Sequence, residues 1–142
     1  MPPTQNKRLS FALFLVLLLV VIDQLGKDLA IRHFGPIISG NTGGSFGVLS
    51  GFEFYKYASL ILTIVIFVYF LKCKTTDKVL VAIMLGGALS NTIDRFARGF
   101  VVDYISLPYW PSFNLADTLI FVSALTLAYK TIRRSSGGPK LN

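Results

Sequence analysis

The chain is poor in the residues that most often carry chemistry. Of its 142 residues one is cysteine, one is histidine and seven are acidic. A single cysteine, Cys73, excludes an internal disulfide. Set in Lys72-Cys73-Lys74, it reads as an inert cytoplasmic thiol. The single histidine, His33, is remote from the acids and reads as an exposed loop residue. A metal centre would then need carboxylates alone, at clustered spacings these acids lack, so no metal and no other cofactor is expected. Charge is scarce as well: 15% of residues are charged and 53% are hydrophobic, with a mean hydropathy of +0.62. That is too apolar for a soluble domain of this length and fits an integral membrane protein. The net charge of +7 would raise the question of nucleic acid in a soluble chain. Here the bases lie at the ends of apolar runs, so membrane lipid is the expected contact and nucleic acid is not.

What the chain does have is four apolar runs. They predict an all-α membrane protein of one domain, 1–142, with helices at about 9–29, 55–72, 78–96 and 115–132. The start, with Lys7 and Arg8 before an apolar stretch, looks like a signal peptide. No small-x-small cleavage site follows, and Asp23-Gln24-Leu25-Gly26-Lys27 continues the helix, so it is read as a retained span. Gly86, Gly87 and Ser90 in the third run predict close helix packing. Residues 33–54 read as a loop with six glycines and Pro36, and short β-prone pieces such as 45–49 predict a small extended or hairpin-like platform. The second long loop, 99–114, holds Pro108 and Pro111 with Tyr104, Tyr109 and Trp110. Phe52, Phe54, Tyr55 and Trp110 are read as interfacial anchors.

Charge sets the expected orientation. Nine Lys or Arg lie in the N-terminus, the 72–78 turn and the C-terminal segment. Five lie in the two longer loops. The bias toward cytoplasmic bases puts both ends and the middle turn inside and the long loops outside. Counting from the cytoplasmic end of each run at about 1.5 Å per residue brings Asp23, Asp94 and Asp117 to about 20–22 Å, the outer third of a bilayer. Asn91 lies about one turn deeper. Asp103 is in the outer loop just beyond, and a short loop with two prolines can return it to the same level.

Three readings of these acids compete. In the first they are structural ties: Lys27 and Arg98 follow Asp23 and Asp94 by four residues, a spacing that allows ion pairs, with Arg95 as another partner for Asp94. This leaves Asp103 and Asp117 unexplained. In the second they relay protons or ions, which calls for polar groups along a full crossing, and the inner two thirds of these helices have almost none. In the third, two close carboxylates share a proton; one activates water and the other protonates a leaving amine.

At these residues the chain resembles the lipoprotein signal peptidases (signal peptidase II), a family of bacterial intramembrane aspartyl peptidases. Asp23-Gln24-Leu25-Gly26-Lys27 is similar to the family's Asp-x-x-x-Lys. Asn41-Thr42-Gly43-Gly44-Ser45-Phe46 is similar to Asn-x-Gly-x-x-Phe. Asn91-Thr92-Ile93-Asp94-Arg95 is similar to Asn-x-x-Asp-Arg, Val101-Val102-Asp103-Tyr104 to Val-Val-Asp-Phe, and Phe113-Asn114-Leu115-Ala116-Asp117 to Phe-Asn-x-Ala-Asp. The five patterns occur in order on the four-span plan. Differences are Tyr104 for Phe, Gly26 where Thr or Ser is common, Gly44-Ser45 for two alanines, and a short loop between Asp103 and Asp117. The resemblance implies Asp103 and Asp117 as the catalytic pair. It implies site support from Asn41, Gly43, Asn91, Arg95, Asn114 and Ala116, with Asp23, Lys27 and Asp94 shaping the fold. It further implies a diacylglyceryl-modified prolipoprotein substrate cut just before its lipidated cysteine. The expected setting is the bacterial inner membrane, with the site near the outer leaflet of a monomer.

Overall fold

The computed structural model describes residues 5–35, 39–41, 53–74 and 76–136. In chain order the elements are α1 (Gln5–Phe34), β1 (Ser39–Asn41), α2 (Phe54–Lys72), α3 (Lys78–Ala97), β2 (Val101–Asp103) and α4 (Leu115–Ser136). All four helices are long and apolar enough to cross a membrane. Their lengths are 30, 19, 20 and 22 residues. At 1.5 Å per residue each matches or approaches the roughly 30 Å of hydrocarbon, and α1 exceeds it at about 45 Å.

α3 is the centre of the bundle. It packs against α1, α2 and α4. Ten of its residues are buried, against three in α2. The other helices turn large apolar side chains outward, among them Phe14, Leu17, Ile61, Val65, Phe121 and Leu125. Such surfaces suit lipid and would be costly in water. The core of Val16, Ile66, Phe70, Val81 and Leu85 joins α1, α2 and α3. The paired glycines make the approach possible on two sides. A Cβ at Gly86 would lie 3.1 Å from the Leu19 Cβ on α1, and one at Gly87 would lie 2.5 Å from the Ala116 carbonyl oxygen on α4. The close packing expected of these small residues is therefore present.

Three details depart from the expectations. α1 runs on to Phe34, so His33 is exposed but helical, with its Nδ1 2.9 Å from the Leu29 carbonyl oxygen. Phe54 likewise opens α2 instead of closing the loop. And β1, from the first long loop, makes no hairpin with its own loop among the described residues. It pairs antiparallel with β2 of the second, Ser39 opposite Asp103 and Asn41 opposite Val101. Backbone groups at the rim of an apolar bundle need partners, and the strand after α3 supplies them. Residues 42–52, with Gly43 and the 45–49 segment, lie outside the described residues, as does Phe52.

Beyond β2 the chain returns by a short hairpin. Ile105 and Phe113 exchange both backbone hydrogen bonds, at 2.8 and 2.9 Å. Its tip is a turn in which the Trp110 N–H donates to the Leu107 carbonyl at 3.2 Å. Pro108 and Tyr109 are the central residues, and Tyr109 has φ 62°. A proline followed by a positive φ is the type II pattern, which usually takes glycine at the second place.

Candidate active site

The site grows from a polar row on α3. Ser90, Asp94 and Arg98 recur at every fourth residue and share one helix face, with Asn91 beside them. Opposite them, α1 presents Asp23, Gln24 and Lys27. The fully buried Lys27 ammonium meets Asp23 Oδ2 at 2.7 Å, Asp94 Oδ2 at 2.8 Å and Asn91 Oδ1 at 2.9 Å. An ammonium has three N–H donors, and all three are used. Asp94 also accepts from Arg98, Gln24 and the Val102 backbone N–H. Arg98 reaches on to Asp28 and to Gln24 Oε1. Charges so deeply buried persist only when each is paired and hydrogen-bonded. The ion pairs allowed by the four-residue spacing are thus present. Asp94 takes Arg98 rather than Arg95, because adjacent residues on a helix do not face each other.

The same network seats the start of α4. Asp23 accepts the Ser90 hydroxyl on Oδ2 at 2.6 Å and the Ala116 N–H on Oδ1 at 3.0 Å. Asn114 is the N-cap: its Oδ1 accepts the Asp117 N–H at 2.9 Å, and Asp117 Oδ2 accepts the Asn114 N–H at 3.2 Å. This reciprocal pair is a capping box. The Leu115 N–H donates to the Tyr104 hydroxyl at 3.2 Å. Every N–H of the first three helical residues, which no helix can satisfy internally, has a side-chain partner.

Two asparagines link these parts to the remaining acids. Because Asn91 Oδ1 faces Lys27, its Nδ2 faces outward and donates to Asp117 Oδ1 at 2.7 Å. Because Asn114 Oδ1 holds the cap, its Nδ2 donates to Asp103 Oδ1 at 2.8 Å, with longer contacts to Asn91 Oδ1 and the Val102 carbonyl. Asp103 from the end of β2 and Asp117 from the first turn of α4 thus converge on one pair of carboxamides. Asp103 is buried and Asp117 half-buried. The amides hold carboxylate oxygens in place without adding a positive charge.

Of the residues singled out in the sequence, Asp23, Lys27, Asn91, Asp94, Asp103, Asn114, Ala116 and Asp117 come together here. Ala116 contributes its backbone N–H. Arg95 is half-buried, its guanidinium within electrostatic reach of Asp117, Asp103 and Asp94, and it donates to the Asn91 carbonyl at 3.4 Å. Asn41 lies in β1 opposite Val101. Gly43 lies outside the described residues. The structure adds Ser90, Gln24 and the Tyr104 hydroxyl. Ser90 was legible as the residue one turn before Asp94, and Asn114 as a cap from its three-residue spacing to Asp117. Cys73 stands at the end of α2, far along the chain from these acids, and burial pushes its thiol up, away from nucleophilic use.

The four-helix fold has known counterparts. Two solved bacterial membrane enzymes share the fold. One superposes with a TM-score of 0.82 at 23% identity over 94% of each chain, and the other with 0.73 at 24% identity over 86% of this chain and 92% of its own. A lipoprotein signal peptidase of Thermodesulfovibrio yellowstonii is 32% identical across 88% of this chain and 95% of its own. That of Syntrophomonas wolfei is 34% identical across 78% and 85%. A family model for Signal peptidase (SPase) II matches residues 15–133, a span that includes Lys27, both asparagines and every acid of the site. With the buried network, the four spans and this match in agreement, the chain belongs to the signal peptidase II family.

Proposed function

We propose that this chain is an aspartyl endopeptidase that removes the signal peptide from diacylglyceryl-modified prolipoproteins, cutting just before the lipidated cysteine. The observation that carries the reading is the pairing of Asp103 and Asp117 through Asn91 and Asn114. On this reading the two carboxylates act in one site and share one proton, because two carboxylates in one site cannot both ionise easily. The ionised member takes a proton from water as the oxygen attacks the scissile carbonyl. The protonated member polarises that carbonyl and then gives its proton to the leaving amine. Net consumption is one water per bond, with no metal or nucleophilic side chain required.

The membrane setting fits such a substrate. The distribution of bases argues for both ends in the cytoplasm, which leaves the site at the outer leaflet of a bacterial cytoplasmic membrane. A precursor held by two acyl chains and a signal helix offers its scissile bond at that depth. The single chain carries every group used here, so a monomer suffices.

The test is cleavage of a lipidated precursor by the purified protein, with an unlipidated precursor alongside. The lipidated one alone should be cut. Asp103→Asn and Asp117→Asn should each lower the rate at least about a thousandfold while the protein still accumulates in the membrane. Full activity in either variant removes the mechanism. Chelators should leave the rate unchanged.

A further inference from the structure

Tyr104 follows Asp103 directly in the chain, yet its side chain serves the other acid's helix. Its hydroxyl accepts the Leu115 N–H at 3.2 Å, two residues before Asp117. The neighbouring amides of that turn are taken by Asp23 and Asn114, so the hydroxyl is the partner of the first amide. The end of the ring lies over Gly26 of α1. A Cβ there would stand 3.4 Å from the hydroxyl oxygen and 3.8 Å from Cζ. A Cβ alone would make ordinary contact here, so the clearance beside the hydroxyl is one that only atoms beyond Cβ would fill. Burial pushes the phenol up, which keeps the hydroxyl neutral.

We propose that the Tyr104 hydroxyl is a positioning group for the reaction, fixing the start of α4 relative to β2 and so the placement of Asp117 against Asp103. One end of the residue is bonded covalently to the strand that carries the first acid. The other is hydrogen-bonded to the helix that carries the second. The residue works as a strut between the two. This rests on the reading of Asp103 and Asp117 as the reacting pair. A strut of this kind acts on the chemical step, because its hydroxyl oxygen accepts from the helix that carries Asp117.

The test uses the full-length protein and a lipidated precursor. Tyr104→Phe keeps the ring and removes the hydroxyl. It should lower kcat roughly 3- to 10-fold, the range of one lost hydrogen bond, with KM within twofold and a Tm change of only a few degrees. Gly26→Val fills the clearance and should give a similar kcat loss. Combined with Tyr104→Phe it should add little, since both remove the same contact. An unchanged kcat in Tyr104→Phe overturns the proposal. So does a loss confined to KM, which would make the hydroxyl a substrate contact. Losses that multiply in the double variant would overturn the coupling to Gly26. Asp117→Asn in the same assay separates the two levels: if it is inactive, a silent Tyr104→Phe counts against the strut alone, and if it is fully active, the reading of the acids falls first.

Discussion

The two ends of the bundle each hold an aspartate between bases, and they do different things with it. At the end away from the site, Asp77 stands at the N-cap position of α3 without a side-chain cap bond, and meets Lys130 at 2.8 Å and Arg134 at 2.8 and 3.1 Å. The bases are partly exposed, at 32% and 50%. Among the described residues the tie closes on itself: it staples the start of α3 to α4. At the site end Lys27, Asp23 and Asp94 are fully buried, and the network does not close. Lys27 spends its third donor on Asn91, and Asn91 spends its amide on Asp117. The same chemistry is a staple where water competes for it and an alignment device where water is excluded. In low dielectric every unmet donor is costly, so each bond dictates the direction of the next.

That contrast can be broken at three places. The largest effect is expected at Lys27→Met, which leaves Asp23 and Asp94 buried with one base, Arg98, on the Asp94 side. Loss of one partner of a buried pair costs about 3–5 kcal/mol. Thermal unfolding in detergent should show it, with cleavage falling too as Asn91 loses the contact that orients it. Gly87→Ala should come next, at about 1–3 kcal/mol, because its Cβ would sit 2.5 Å from the Ala116 carbonyl and push the start of α4 off α3. Cleavage should fall more than stability does, which a staple alone would not produce. Asp77→Asn should be the mildest, about 1 kcal/mol or less, with cleavage at neutral pH unchanged.

Acid sharpens the same comparison. Hydrogen bonds from Arg134, then Lys130, hold the Asp77 carboxyl at about 2, below its ordinary 3.8. A depressed value means the fold favours the ionised form. The staple is therefore fully present above about pH 4 and is lost as pH falls through 2. Unfolding of Asp77→Asn should lack that component between pH 4 and 2, and an identical acid profile to the parent would show that the staple carries none of it.

Much of this could be read from the chain. Four apolar runs in 142 residues leave few alternatives to four spans, and equal depth brought Asp23, Asp94 and Asp117 to one level before any contact was visible. The four-residue spacing named Lys27 and Arg98 as partners. What could not be read depends on contacts between distant segments. No local pattern says that Ser39–Asn41 will pair with Val101–Asp103, since each strand is three residues long and its register is set by the helices that flank it. The continuation of α1 past Arg32 was hidden by the glycines that follow. The Tyr104 hydroxyl is visible only when α1, β2 and α4 are assembled.

The capping box has one more consequence. Asp117 is fixed by its place in the helix count, third after Asn114, together with the Asn91 amide that meets it. Each residue of an α-helix turns the chain by about 100°. Inserting or deleting one residue between Asn114 and Asp117 would turn the cap about a quarter of the way round the helix relative to the acid, while the rest of α4 kept its lipid-facing surface. The reactive geometry is thus written as a register, and a change too small to disturb the membrane span would erase it.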